Sequence, residues 1–137
     1  MADTLTQAQR SERMRRIKGK DTRPEMLVRR LLFGAGYRYR LHRKDLPGRP
    51  DMVFRSRRAV IFVHGCFWHQ HQGCKTSHTP KSRSSYWAEK FKMNIDRDAV
   101  AIQRLEAEGW RVIVAWECET RDLCMLRTRL SELLGPP

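Results

Sequence analysis

The stretch that decides the fold is residues 59–74, which reads AVIFVHGCFWHQHQGC. Its first five residues form an apolar run, bounded by polar residues, that predicts a buried strand. The rest of the stretch places cysteines, histidines and two large aromatic residues in a short loop. Cysteine and histidine at this spacing can hold a zinc ion in a tetrahedral arrangement. The stretch therefore predicts a strand that runs directly into a metal-stiffened loop.

A second apolar run, residues 51–54, precedes this strand, and the polar segment 55–58 lies between them. Two short apolar runs around a polar turn predict a β-hairpin. Residues 46–50, LPGRP, predict a turn before it. After the loop, residues 84–108 predict a long amphipathic helix that ends at Gly109. The predicted apolar face of this helix comprises Trp87, Phe91, Ile95, Ala99, Ile102 and Leu105.

Residues 111–116 predict a further buried strand. Strand 59–63, helix 84–108 and this strand together predict a βαβ unit with parallel strands and a right-handed crossover. Outside the unit, the capping-box pattern from Thr22 to Glu25 predicts the start of a helix. Residues 37–41 alternate as in a strand, and leucines at helical spacing over 123–134 predict a final helix. The expected class is α/β, a single domain over residues 21–137 preceded by a basic N-terminal arm or helix over 1–20.

The composition indicates a polyanionic partner. Lysine and arginine number 28 against 15 acidic residues, which gives a formal charge of +13 and an isoelectric point near 10.5. The excess recurs along the chain, so it points to a nucleic-acid surface. No apolar stretch is long enough to cross a membrane, and no secretory signal is evident. A cytoplasmic protein is expected, in which cysteines bind metal more often than they form disulfides.

Two cysteines far apart in sequence are expected to meet. Cys66 follows the first strand of the βαβ unit and Cys118 follows the second, and parallel strands end at the same edge of a sheet. His71 and Cys74 complete a closed set of four ligands, which predicts one structural zinc ion without an open coordination position. The alternative metal ligands are His64, His69 and His78. The remaining cysteine, Cys124, is predicted to be a small buried apolar residue of the last helix.

A catalytic group is predicted beside the zinc loop. With the hairpin turn centred near Arg57, Asp51 lies across from Val63, so Asp51 and His64 share one end of the hairpin. A carboxylate there can hold Mg²⁺. Histidine can accept or donate a proton near neutral pH, and here His64 and His69 are the candidates. On a basic chain this combination predicts hydrolysis of a phosphodiester.

Three segments together resemble the very-short-patch repair (Vsr) endonucleases. They are residues 46–51, LPGRPD, residues 60–69, VIFVHGCFWH, and residues 109–118, GWRVIVAWEC. The resemblance extends from about Arg10 to Leu134. It implies a restriction-endonuclease-like fold of the PD-(D/E)xK type, with a mixed central sheet flanked by helices. It also implies a Mg²⁺-dependent nick on the 5′ side of the thymine in a T:G mismatch, the product of 5-methylcytosine deamination.

The resemblance also implies roles for individual residues. It makes Asp51 the principal Mg²⁺ ligand, helped by the backbone carbonyl of Val63. His69 becomes the general base and His64 a second catalytic histidine near the scissile phosphate. Glu25 and Asp98 become supporting acidic residues, with Asp96 as the alternative to Asp98. The implied zinc ligands are Cys66, His71, Cys74 and Cys118, and the implied DNA-intercalating residues are Phe67, Trp68 and Trp87.

The expected partner is double-stranded DNA with a T:G mismatch, and mismatch-repair proteins are a further expected partner. No membrane partner is expected, the protein is expected to be a monomer, and a location at the bacterial nucleoid is expected. Two alternatives remain. One is a restriction-type or other structure-specific DNA nuclease of the same fold. The other is a zinc-stabilised DNA-binding module without catalysis, which would have no need of Asp51, His64 and His69 together.

Overall fold

The computed structural model describes residues 21–74 and 82–137. The predicted arm over residues 1–20 and the alternative ligand His78 lie outside this part of the chain. The helices are α1 (Arg23–Gly34), α2 (Ser84–Ala107) and α3 (Leu123–Leu134). The strands are β1 (Arg40–Leu41), β2 (Met52–Phe54), β3 (Ala59–His64) and β4 (Arg111–Trp116). Short 3-10 helices cover Arg55–Arg57 and Glu117–Arg121.

The strands form one mixed sheet in the order β1-β2-β3-β4. β1 and β2 are antiparallel, as are β2 and β3, whereas β3 and β4 are parallel over six residue pairs from Ala59–Arg111 to His64–Trp116. The predicted hairpin and the predicted parallel pair are confirmed. The sheet is therefore mixed and the fold belongs to the α/β class. The carboxyl ends of β3 and β4 lie side by side.

Helices cover both faces of the sheet. α1 and α3 pack on one face over a core that includes Val28, Met52, Ile61 and Leu130. α2 packs on the other face, where Leu105 meets Val53, Val60, Phe62 and Trp110. Because side chains alternate along a strand, β3 contributes residues to both cores. Asp51 and His64 have the same parity as the residues of the α2 face, so this face carries the polar groups at the strand ends.

The N-terminus of α1 departs from the predicted capping box in one respect. Thr22 is the N-cap, and its hydroxyl accepts a hydrogen bond from the Glu25 backbone N–H at 3.4 Å. In a complete capping box, Glu25 would accept a hydrogen bond from the Thr22 backbone. Its carboxylate instead accepts one from the Asp21 backbone N–H at 3.3 Å and is 2% exposed. Glu25 is thus directed inward and becomes part of the cleft described below.

The inward face of α2 differs from the predicted one. Ile95 is 45% exposed and Ala99 is also exposed, whereas Phe91, Ala101 and Leu105 are buried. The stripe that faces the sheet runs through Trp87, Phe91, Asn94, Asp98, Ala101 and Leu105. Its middle is polar because those side chains face a cleft and not a core. The prediction of a helix over this segment is confirmed, and Gly109 follows it with a φ of 90°.

One smaller prediction is confirmed only in part, and another was wrong. The alternating segment 37–41 forms a strand over Arg40–Leu41 alone, because Tyr37 packs into the core and the intervening residues lie outside the ladder. Cys124 is exposed and not buried, since the inward leucines of α3 are Leu126, Leu130 and Leu134.

Gly48 fixes the position of the turn before β2. Its φ is 73°, and a Cβ atom at this position would lie 2.7 Å from the Ala101 Cβ atom of α2. No other residue type allows both this backbone conformation and this close approach. The turn is therefore pressed against α2, and Asp51 three residues later lies at the edge of the cleft.

Among the helices of the described residues, none combines the length and apolar composition that a membrane crossing requires.

Candidate functional site

A cleft of about 980 Å³ lies at the carboxyl end of β3, between the N-terminus of α1 and the polar middle of α2. Asp51, His64 and His69 line it, together with Phe67 and Trp68. Three different segments thus converge there: the start of β2, the end of β3 and the loop that follows. The predicted catalytic residues share one cavity with two of the predicted DNA-contacting aromatics, whereas the third, Trp87, does not line it.

Asp51 is held by the backbone of the neighbouring strand. The pairing of Met52 with Ile61 places Asp51 one position short of the predicted partner Val63. The Asp51 side chain nevertheless reaches Val63, whose backbone N–H donates a hydrogen bond to Asp51 Oδ2 at 2.6 Å. Burial, and to a smaller extent the nearby Glu25 carboxylate, raise the pKa of Asp51 to about 7. A bound cation would remove this penalty, since opposite charge favours the ionised carboxylate.

Glu25 lies beside Asp51 and is almost fully buried. Its Oε2 atom contacts the guanidinium of Arg29 and lies 2.7 Å from Nε2 of His42. A buried carboxylate requires such partners to offset its loss of hydration. The site therefore has two neighbouring carboxylates. Asp51 accepts a hydrogen bond from a backbone N–H, and Glu25 contacts the side chains of Arg29 and His42.

His64 is the last residue of β3 and is 6% exposed. Its ring stacks on that of His69 with centroids 3.8 Å apart and an interplanar angle of 3°. Burial, followed by the proximity of His69, lowers the pKa of His64 to about 4. His64 is therefore a neutral imidazole at neutral pH, which can accept a proton or a hydrogen bond through its free ring nitrogen.

His69 is oriented by α2. Its Nδ1 atom contacts Oδ2 of Asp98, which faces the cleft from the middle of the helix. A hydrogen bond at Nδ1 fixes the tautomer and leaves Nε2 available to the cleft. Asp96, the alternative to Asp98, is exposed on the other side of α2. Asn94 assists by donating to the Trp68 carbonyl at 3.2 Å, which ties the loop to the helix.

The side chains of Cys66, His71, Cys74 and Cys118 also converge, with ligand atoms all within 4.8 Å of one another. The His71 Nδ1 atom lies 3.7 Å from Sγ of Cys66 and 3.5 Å from Sγ of Cys118. Tetrahedral zinc with Zn–S of about 2.3 Å and Zn–N of about 2.05 Å requires an S···N separation of about 3.6 Å. The cluster thus has the dimensions of a four-ligand metal site.

The surroundings of the cluster also suit a cation. Burial and the neighbouring thiols of Cys66 and Cys74 raise the pKa of Cys118 to about 12. Three thiols in contact ionise together when a metal neutralises them. The Cys118 backbone N–H also points to Sγ of Cys66 at 3.4 Å, and the His71 ring stacks on Trp116 with centroids 4.0 Å apart. The cluster therefore joins the loop to the end of β4.

Phe67 and Trp68, which line the cleft, belong to a group of packed aromatic residues. The ring of Phe67 packs edge-on against Trp68, Trp87 and Phe91, with centroids 5.3, 5.5 and 5.1 Å apart. Phe91 is buried, whereas the other three are only partly covered. Phe91 thus anchors the group, and parts of Phe67 and Trp68 remain open to the cleft.

Sequence reasoning did not find Asn94, which lines the cleft, or Arg29 and His42, which contact the cleft residue Glu25. No local sequence pattern predicts that the side chains of Arg29 and His42 face inward, because both residues lie in basic stretches where a solvated side chain is expected. Asn94 could have been found with Asp98. Both lie on the α2 stripe that contains Phe91 and Leu105, and polar residues within an otherwise buried stripe indicate a polar cavity.

The sequence also matches known proteins. The sequence profile of the family described as DNA mismatch endonuclease Vsr matches residues 2–75. The chain is 54% identical over 136 residues to the Type II nicking enzyme V.XorIIP of Xanthomonas oryzae pv. oryzae, covering 99% of each. It is 46% identical over 121 residues to the DNA mismatch endonuclease Vsr of Escherichia coli, covering 88% of this chain and 77% of that protein. The chain belongs to the Vsr family of DNA mismatch endonucleases.

Proposed function

We propose that this endonuclease nicks one strand of double-stranded DNA on the 5′ side of the thymine of a T:G mismatch, with the help of Mg²⁺. The observation that carries the proposal is the shared cleft. Asp51, His64 and the His69–Asp98 pair lie in the same cavity as Phe67 and Trp68. Residues that can cleave a phosphodiester and residues that can separate bases are therefore within reach of one DNA site.

Asp51 and Glu25 provide the acidic wall that suits Mg²⁺, which prefers carboxylate, carbonyl and water oxygens. Asp51 is the principal ligand in this proposal, and the carbonyl of Val63 is the second. Mg²⁺ at this position would polarise the scissile phosphate. The residues themselves fix the geometry, since the Val63 N–H orients the Asp51 carboxylate.

The two stacked histidines have different roles in this proposal. His69 acts as general base, because Asp98 holds its Nδ1 and stabilises the ring once it has taken a proton. His64 lies parallel to it and is neutral at physiological pH, so it accepts a hydrogen bond near the scissile phosphate without adding charge. Glu25 acts on the carboxylate side of the cleft, beside Asp51.

The Cys66–His71–Cys74–Cys118 cluster is proposed to hold one structural zinc ion. All four positions of a tetrahedral site are filled by the chain, which suits a structural and not a catalytic metal. Phe67, Trp68 and His69 follow Cys66 directly, so zinc fixes the loop that carries both the aromatics and the general base. The overall fold is proposed to be of the PD-(D/E)xK type, consistent with the mixed sheet and helices on both faces.

Recognition of the mismatch is proposed to occur by insertion of Phe67 and Trp68, with Trp87 behind them, between base pairs. Apolar wedges separate base steps at a cost of about a few kcal/mol per step. A T:G wobble pair stacks less well than a matched pair, so its separation costs less. That difference favours the mismatch without a full reading of base edges.

Nicking of labelled duplexes tests the proposal. Wild-type protein and Asp51→Asn are incubated with Mg²⁺ and with T:G, U:G or matched duplexes in several sequence contexts. The expected result is a single nick 5′ to the mismatched thymine by wild type, and binding without nicking by Asp51→Asn. Equal cleavage of matched and mismatched duplexes would replace the proposal with a different DNA nuclease. Binding without cleavage by wild type would favour a binding module.

A further inference from the structure

His42 contacts the cleft residue Glu25 from behind and has no part in the function proposed above. It follows β1 directly, and its backbone N–H donates to the Asp51 carbonyl at 3.3 Å. Its φ is 47°, in the left-handed region that non-glycine residues seldom adopt. This conformation directs the ring into the protein, where the side chain is 20% exposed. An uncommon backbone conformation at the edge of a site indicates that the position of the side chain matters.

The ring of His42 lies between the two carboxylates of the cleft. Its Nε2 atom is 2.7 Å from Oε2 of Glu25 and 3.9 Å from Oδ1 of Asp51. An ionised carboxylate only accepts hydrogen bonds, so Nε2 carries the hydrogen in its contact with Glu25. His42 thus has a short hydrogen bond to one carboxylate while its backbone and ring lie against the residue that bears the other.

His42, Glu25 and Asp21 are close enough to form a cation site of their own. That alternative is disfavoured, because the Arg29 guanidinium already contacts both Asp21 and Glu25. A second cation placed among these groups would lie against the guanidinium. His42 is therefore a hydrogen-bond donor to Glu25 and not a metal ligand.

We propose that His42 is a positioning residue of the metal site, which holds the Glu25 carboxylate in place beside Asp51, the carboxylate that binds the divalent cation in the proposed function. This inference rests on the proposed function, since it places the cation at Asp51. Partners that orient the groups around a metal typically change its affinity by about 10- to 100-fold when removed. The effect of His42 should therefore appear in metal binding itself.

Binding of Mn²⁺, a stand-in for Mg²⁺, measures this effect without any nicking. The zinc-loaded protein is titrated with Mn²⁺, and free Mn²⁺ is followed by its electron paramagnetic resonance signal. The expected dissociation constant of His42→Leu is about 10-fold or more above that of wild type. His42→Gln retains an N–H donor and should stay within about threefold of wild type. Asp45→Asn, in the same turn but paired with the exposed Arg43, should match wild type.

Three outcomes would overturn the inference. His42→Leu could bind Mn²⁺ as tightly as wild type, or His42→Gln could lose as much Mn²⁺ affinity as His42→Leu. The third outcome is that Asp51→Asn binds Mn²⁺ as tightly as wild type, which would place the ion elsewhere. If His42→Leu does not fold, His42→Asn gives the same comparison, because its shorter amide cannot reach Glu25. The nicking assay is read separately. A wild type that binds Mn²⁺ as expected but cuts no T:G duplex would contradict the proposed function and leave the role of His42 standing.

Discussion

Asp51 combines a stabilising hydrogen bond with an unfavourable burial. The Val63 N–H favours its ionised form, but burial outweighs this and raises the pKa to about 7. An acid whose pKa is higher in the folded than in the unfolded protein loses stabilisation as the pH rises through the folded value. The metal-free protein therefore carries a destabilised carboxylate above pH 7, which is the form that the proposed binding of Mg²⁺ requires.

Replacing this carboxylate should stabilise the metal-free protein. At pH 8 without Mg²⁺, we expect the free energy of unfolding of Asp51→Asn to exceed that of wild type by about 1–3 kcal/mol. The reason is that the amide carries no charge to bury. The gain should shrink as the pH falls towards 5.5. Urea unfolding at several pH values measures it. Asp96→Asn removes an exposed carboxylate of α2 and should give no pH-dependent gain; a similar gain there would contradict the assignment.

Trp68 should contribute to discrimination more than to folding. Its ring is partly covered by Phe67 and Trp87 and partly open to the cleft. Stacking of an aromatic side chain on a base contributes about 1–3 kcal/mol. We expect Trp68→Ala to remain folded and zinc-loaded, while its preference for T:G over matched duplex falls by about 5-fold or more. Competition binding measures the preference.

Phe33 provides the matched control for Trp68. It is 55% exposed at the end of α1, where it contacts Arg38. Phe33→Ala should leave the T:G preference unchanged. Unfolding of Trp68→Ala would show that the ring is mainly a core residue. A folded Trp68→Ala variant with the full preference for T:G would contradict the insertion of Trp68 between base pairs.

At the scale of elements, the turn before β2 depends on its contact with α2. A Cβ atom on Gly48 would lie 2.7 Å from Ala101, whereas one on Gly73 would meet nothing within 4 Å. Both glycines have φ values near 75°, so alanine at either position costs about 1–2 kcal/mol of backbone strain. Only Gly48→Ala adds the clash, at about 1–3 kcal/mol.

These two variants therefore separate strain from packing. We expect Gly48→Ala to lose more unfolding free energy than Gly73→Ala, and to nick more slowly because Asp51 follows the displaced turn. Chemical denaturation and nicking rates of the two variants test this. Equal losses would mean that the turn does not need its close contact with the helix.

The elements themselves were predictable because their signals are local. An apolar run of five residues, a polar turn and a parallel partner after a long helix were sufficient for β2, β3 and β4. The inward face of α2 was not predictable from apolar spacing. Asn94 and Asp98 interrupt the buried stripe, and Ile95 and Ala99 beside them offered a more apolar but exposed alternative. Hydrophobic periodicity identifies the face of a helix that packs on a core, and part of α2 faces a cavity.

The site was predictable where topology or a motif brings residues together. Cys118 meets Cys66 because parallel strands end at one edge. Asp51 meets Val63 because the hairpin brings their segments together and the Asp51 side chain reaches one residue past its register partner. Glu25 and Asp98 needed the family resemblance. His42 had neither signal, since it follows a strand of two residues within a basic segment and its inward direction depends on a left-handed backbone.

At the scale of the whole molecule, the charge of +13 should govern affinity for DNA. Each phosphate contact by lysine or arginine releases counterions and contributes about −0.9 to the slope of log K against log salt. We expect a slope of about −4 or steeper for the wild type on both matched and T:G duplexes. Fluorescence anisotropy over a range of KCl concentrations measures it, and a flat plot would contradict an electrostatic DNA surface.

The metal cluster should control global stability. We expect Cys118→Ala to lose zinc and to unfold at a much lower temperature, because it disconnects the end of β4 from the loop after β3. Zinc analysis and thermal unfolding test this. Cys124→Ala is the matched control, since Cys124 is exposed and outside the cluster; it should keep one zinc ion per chain. Folded wild-type protein without zinc would refute the assignment.

The joining of Cys66 to Cys118 also has a consequence for biosynthesis. These ligands are 52 residues apart, and the ribosome adds about 5–20 residues per second. Cys74, the third proposed ligand, precedes Cys118 by 44 residues. For roughly 2–9 s the growing chain therefore has three of its four proposed ligands and lacks the one that follows β4. An ion captured in that interval has an open position, which water, a small thiol or another nascent chain can occupy. With zinc as the proposed metal, its supply during translation, and not only afterwards, should therefore influence how much of the newly made enzyme reaches its active form.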